Sequence, residues 1–274
     1  MNIEGWRYYN HAVLPSSAPN VEVNMEPLLN STIWKIGGGT PLLARWTSDF
    51  DCGYETDWWY VIKDDFFDIS SLKSKRRYEI NKGKKSFCVK VINAKEHISD
   101  IIEIQRKAYE EYPEQYRPTV NPEKISREIN EWTSKYIVFG GFSDNSDNLC
   151  GYAVLIEDQN YVNFAMLKVL PSCEKQGINA AIVAGILEYY NERLTSKFFI
   201  CDGERALFHE TNFQDYLEKY FGFRKAYCKL HIKFRFPMSM IMKLLALFPE
   251  RCFKMKALSK VKVLLQYYRI CQKV

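Results

Sequence analysis

Two short stretches of this chain hold residue types that can do chemistry. The first runs Leu167-Lys168-Val169-Leu170-Pro171-Ser172-Cys173-Glu174-Lys175-Gln176-Gly177-Ile178-Asn179-Ala180-Ala181. An apolar strand ends at a proline, a polar loop follows, and a glycine opens a helix. A helix N-terminus presents backbone N–H groups without intrahelical partners, at the positive end of the dipole. Where a glycine lets the backbone come close, that geometry cradles a pyrophosphate. The second stretch is Asp202-Gly203-Glu204-Arg205 with His209-Glu210-Thr211-Asn212. It is dense in polar groups, follows a buried strand and precedes a helix, where α/β folds place site loops.

The elements that must hold these residues can be read from periodicity. Residues 1–30 look irregular, with Pro15, Pro19 and Pro27. Strand-like runs follow at Trp34–Leu43 and Asp57–Lys63, then a basic helix at Ser71–Lys85 with Glu79 as its one acid. From Phe87 the order is regular: a strand 87–93, helices 98–112 and 122–134, strands 136–142, 149–157 and 161–169, a long helix 177–193, a strand 197–201, a helix 213–221 and a long strand 223–236. Thr211 and Asn212 are good N-caps for the helix at 213. Segments near 238–248 and 252–271 read as amphipathic helices parted by Pro249. The alternation predicts a mixed α/β (α+β) chain.

Composition narrows the class. The chain has 274 residues, 47% of them hydrophobic, ample for a full core. No apolar run is long enough to span a bilayer, and the start MNIEGWRYYN does not read as a signal peptide. The expected location is the cytoplasm. Eight scattered cysteines without a CxxC pair, and only four histidines, predict no metal site. Charge is uneven. Residues 233–274 carry ten Lys or Arg against the single acid Glu250, a net +9, so with +5 overall the rest sums to −4. A basic tail of this kind suits an anionic partner such as a membrane surface.

Val169, Pro171 and Gly177 fall at the spacings of V-x-P-x-x-[Q/R]-x-x-G-x-[G/A], so residues 87–235 resemble the GNAT family of acyl-CoA N-acyltransferases. Two positions depart: Glu174 replaces Gln or Arg, and Asn179 replaces the second small residue. Downstream, Tyr216-Leu217-Glu218-Lys219-Tyr220-Phe221-Gly222-Phe223 is similar to that family's helix ending in L-Y-E-K-L-G-F. The resemblance implies a central, mostly antiparallel twisted sheet flanked by helices. It implies an N-terminal extension over 1–86, a GNAT-like core over 87–236 and a helical tail over 237–274.

The same resemblance implies an acetyl-CoA or other acyl-CoA co-substrate. Leu167 and Val169 would pair with pantetheine. Lys175, Gln176, Gly177, Ile178, Asn179, Ala180 and Ala181 would surround the pyrophosphate, with Asn212 near the cofactor. The amine acceptor would be a small molecule, a sugar or a cell-envelope precursor. No carboxylate lies within 161–170, so the base must come from elsewhere. His209 or Glu204 is the expected base, with Tyr216 or Tyr220 as the acid. Asp202 and Glu210 would orient it or bind substrate, and Arg205 would hold an anionic group.

A second, weaker resemblance concerns the basic helix. Lys75, Arg77, Ile80 and Lys82 follow the K-x-R-x-x-I-x-K rhythm of the Fem family of peptidoglycan-bridge aminoacyl transferases. Those contain paired GNAT-like domains and take their aminoacyl group from tRNA. A third possibility is a GNAT-like module that has lost its catalytic site. Because the strand at 223–236 shows no hairpin turn, its partner strand is expected from Trp34–Leu43 or Asp57–Lys63.

Overall fold

The computed structural model describes residues 1–114, 117–144, 146–207, 213–249 and 259–272. It divides into two compact units. One comprises Met1–Val61, Glu204–Thr211 and Lys225–Val274, and the other Ile62–Gly203 and Asn212–Arg224.

The first unit opens with strands β1 (Trp6–Tyr9) and β2 (Ala12–Pro15), an antiparallel hairpin where no strand was expected. Its two-residue turn is Asn10-His11, both at positive φ, a conformation that a short polar side chain such as Asn tolerates. A one-turn helix α1 (Glu26–Leu29) follows. The expected strand at Trp34–Leu43 is absent. Thr32–Lys35 forms a 3-10 turn after the left-handed Ser31, and extended backbone begins only at β3 (Leu43–Ser48). β4 (Trp58–Lys63) lies where expected. Ile3, Trp6, Val13, Leu28, Ile33, Ile36 and Ala44 form this unit's first core.

The second unit begins with helix α2 (Ser74–Ser86) and strand β5 (Phe87–Ile92), then helices α3 (Ile98–Glu110) and α4 (Pro122–Glu131). Three antiparallel strands follow: β6 (Tyr136–Ser143), β7 (Leu149–Glu157) and β8 (Tyr161–Val169). A short turn of helix, α5 (Pro171–Glu174), leads into α6 (Ile178–Tyr190), then β9 (Phe199–Glu204) and α7 (Phe213–Phe221). The strand order within this unit is β9-β8-β7-β6-β5.

Alternation along β7 assigns its faces. Tyr152 and Val154 join Ile101, Ile104 and Ile129 of α3 and α4 in one core. On the opposite face, Ile178 and Ile182 of α6 lie against Gly151. Nine of the thirteen α6 residues are buried, so this helix is covered on nearly all sides. Each such Val, Leu or Ile contributes about 1.5–3 kcal/mol by burial.

The chain then returns to the first unit as β10 (Arg224–Phe234), helix α8 (Met238–Ala246) and helix α9 (Ser259–Cys271). The order of strands there is β1-β2-β3-β10-β4. β10 pairs antiparallel with β3 from Lys229–Ser48 to Phe234–Leu43. The long strand without a hairpin turn therefore takes its neighbours from the N-terminal segment, on both sides.

Candidate active site

The geometry of the site starts at β8 and β9. They run parallel and pair only at Tyr161–Phe199, Val162–Ile200 and Asn163–Cys201. β8 continues to Val169 and β9 to Glu204, so the two strands part beyond Asn163 and Cys201. β7 follows β8 through the parting, with one extra residue, Ala165, in β8 between Phe164 and Met166. Leu167 is half-buried and Val169 buried, both on the stretch of β8 that β9 does not pair. The parting leaves β8 backbone groups open to a ligand.

Asp202 is the first β9 residue past the last paired position. Burial pushes its carboxyl up to about 7, while a hydrogen bond from the Gln214 side chain pulls the other way. Gln214 stands on α7. Phe213, at the start of that helix, meets Phe164 of β8 edge to face at 5.5 Å. Tyr216 follows, packed against Phe213, Tyr220 and Phe221 at 6.0, 5.1 and 5.5 Å. Burial, then the charge of Glu79 and then Tyr220, hold the Tyr216 hydroxyl above the usual tyrosine range. It is a neutral O–H at physiological pH. The Arg76 guanidinium of α2 lies 5.7 Å from the Tyr220 ring. Side chains of β8, β9, α7 and α2 thus meet in one cluster.

The other expected acid–base residues are placed differently. Glu204 belongs to the first unit and is ion-paired with Arg45, with side chains 29% and 13% exposed. Burial raises its carboxyl and Arg45 opposes that. Its charge is committed to that pair. Arg205 lies with its guanidinium 4.5 Å from the Trp59 ring, donates to the Asp57 carbonyl, and gives its backbone N–H to the Trp59 carbonyl. His209, Glu210, Thr211 and Asn212 lie outside the described residues.

The glycine loop has the expected local form and an unexpected neighbour. Gly177 caps α6 at φ 91°, a left-handed conformation that suits glycine. Lys175 and Gln176 are exposed, Asn179 is half-buried, and Ile178, Ala180 and Ala181 are buried. The Gln176 and Gly177 N–H groups donate to the Cys173 and Glu174 carbonyls, and Ala181 N–H donates to the Gly177 carbonyl. Helix α2 crosses this terminus backbone to backbone. A Cβ on Gly83 would stand 2.3 Å from the Gly177 oxygen and 3.1 Å from the Ala181 nitrogen. Lys82 Nζ donates to the Lys175 carbonyl at 2.6 Å. The chain's own helix α2 thus packs against the Gly177 end of α6.

Sequence reasoning missed Gly83 and Gln214. A glycine inside an otherwise helical run was the signal for the first. Nothing local marked the second.

No protein-family model and no curated protein sequence matches this chain. Solved structures do match in shape. FemX superposes with a TM-score of 0.55 at 8% identity, over 81% of this chain and 78% of its own. L-PGS from Bacillus licheniformis gives 0.51 at 10% identity, over 88% of this chain and 83% of its own. The PaiA N-acetyltransferase from Thermoplasma acidophilum, solved with coenzyme A, overlaps 39% of this chain and 74% of its own, with a TM-score of 0.31 at 19% identity. The chain has a GNAT-like fold of the kind seen in FemX. At these identities the likeness speaks to fold and leaves activity to the site.

Proposed function

We propose that this protein is an acyl-group transferase whose donor is an aminoacyl ester on tRNA, used in the Fem manner. The observation that carries this reading is the Gly83–Gly177 crossing. A CoA pyrophosphate would need the backbone of that loop, and α2 packs against its Gly177 end. An ester at an RNA 3′ end places no pyrophosphate there. It needs a cleft for the acyl group and a basic surface for phosphates.

Helix α2 offers that surface. Lys75, Tyr78, Lys82 and Lys85 follow one exposed face at helical spacing, with Tyr78 68% exposed. Cations interleaved with an aromatic ring suit a single-stranded RNA end, where phosphates pair with lysines and a base stacks.

In this reading the parting of β8 and β9 receives the acyl group. Asp202, ionised near neutrality, takes a proton from the acceptor amine. The amine nitrogen attacks the ester carbonyl and forms an amide bond. The ester C–O bond breaks, the ribose oxygen leaves with a proton from the Tyr216 hydroxyl, and Tyr216 takes a proton back from solvent as Asp202 releases its own. A backbone N–H in the cleft steadies the oxyanion. The acceptor is an amine on a small molecule, a sugar or a cell-envelope precursor.

An acyl-CoA donor is the second reading. The open β8 edge at Leu167 and Val169, where pantetheine would pair, favours it. It requires α2 to leave Gly177. A module without catalysis fits less well, because Asp202 is poised as a base.

The test is transfer of label from a pool of radiolabelled aminoacyl-tRNAs, beside radiolabelled acetyl-CoA, to a panel of amines. Label moving from RNA and not from CoA is the expected result. The reverse selects the CoA reading, and no transfer from either selects the non-catalytic one.

A further inference from the structure

Helix α8 is apolar on both sides. Its inner face, with Met238, Met242, Leu245 and Ala246, packs with Leu265 and neighbours of α9 in a closed core. That face accounts for the helix's place in the fold. Its outer face should then be polar. It instead carries Met240, Ile241 and Leu244, and runs on through Leu247 and Phe248 with Phe236 just ahead of it. All six are exposed, Leu247 by 80%, Phe236 by 72% and Leu244 by 60%. The spacing 240, 241, 244, 247 and 248 keeps them on one ridge.

We propose that this ridge is a membrane-surface anchor that seats the protein on an anionic bilayer. Two observations favour a bilayer over another protein. First, the ridge is uniformly apolar along its length, and α8 holds one exposed cation, Lys243, at its edge. Second, the segment containing it has ten basic residues against one acid, Glu250. Anionic headgroups above an acyl layer satisfy both features at once. Nine residues of helix reach only about 14 Å, and no helix among the described residues is long and apolar enough to cross a membrane. The helix lies along the interface.

This inference does not depend on which donor is used. Its test uses the full chain and sedimentation with vesicles of phosphatidylcholine alone or with one quarter phosphatidylglycerol. Binding to the anionic vesicles, weakened by 0.5 M salt, is expected. The double substitution Leu244→Asp with Leu247→Asp should lower that binding at least about tenfold. Its melting temperature should hold, because both side chains are exposed. Equal binding by variant and parent, or no binding of the parent to either vesicle, overturns the proposal. So does a parent dimer that the double variant converts to monomer, which would assign the ridge to a second copy.

Discussion

Gly83 and Gly177 touch through their backbones. A Cβ on Gly83 would lie 2.3 Å from the Gly177 carbonyl oxygen, and one on Gly177 would lie 3.1 Å from Gly83 Cα and N. Neither obstacle is a side chain that could swing aside. This crossing holds α2 against the N-terminal end of α6.

Gly83→Ala should therefore cost stability even though alanine is the better helix former. Forcing a methyl into packed backbone costs about 1–3 kcal/mol, against a helix-propensity gain of about 1. Urea unfolding of the variant beside Ser86→Ala, at the solvent-side end of the same helix, checks this. A Gly83→Ala protein as stable as its parent would mean that α2 does not bear on Gly177.

Asp202→Asn should lower turnover about 10²–10⁴-fold, the range for loss of a general base. The parent rate should rise as pH passes through about 7, where Asp202 ionises. The same shift has a stability consequence of defined sign. An unperturbed Asp ionises near about 3.9. Between that value and about 7 the folded chain binds the proton more tightly than the unfolded chain. Stability then falls as pH rises across this window. The Asn variant should match its parent at pH 4 and exceed it at pH 8. Thermal melts at the two values read this directly, and a variant less stable at pH 8 contradicts the assignment.

Arg45→Met should destabilise without touching chemistry. It leaves the Glu204 carboxyl, partly buried, without its main cation. The penalty is about 1–3 kcal/mol, below that of a fully buried pair because Glu204 retains some solvent. Turnover per folded molecule should be unchanged. A turnover loss without a stability loss would return Glu204 to the reaction.

The two tyrosines separate in the same way. Tyr216→Phe removes the buried hydroxyl proposed as the acid and should lower kcat about 10²–10⁴-fold with KM unchanged. Tyr220→Phe keeps the ring that Arg76 lies over and should stay near the parent. Equal kcat values for both variants would remove the acid from α7.

The second unit was legible because its signals are local. An apolar strand, Pro171, Gly177 and a helix apolar on all faces follow one another without interruption, and the structure keeps their bounds within a few residues. The first unit was less so. Its opening hairpin turns through Asn10-His11 rather than an Asn-Gly pair, so the strongest hairpin signal is missing. At Trp34–Leu43 the apolar residues suggested a strand, but Ser31 in the left-handed region starts a 3-10 turn. The site's decisive features are long-range. Gly83 could be noticed in its helix, while its partner lies ninety-four positions away at Gly177. Asp202 draws its raised proton affinity from burial, against the pull of Gln214 on α7, which no window of sequence around it encodes.

The proposed tRNA donor requires that α2, packed at Gly177, leave no place there for a CoA pyrophosphate. Isothermal titration of the full chain with acetyl-CoA to millimolar concentration tests it most directly, beside the substitution Gly177→Glu. No heat of binding is expected for either protein. Binding at micromolar acetyl-CoA that Gly177→Glu abolishes would place the cofactor at that loop and contradict the account.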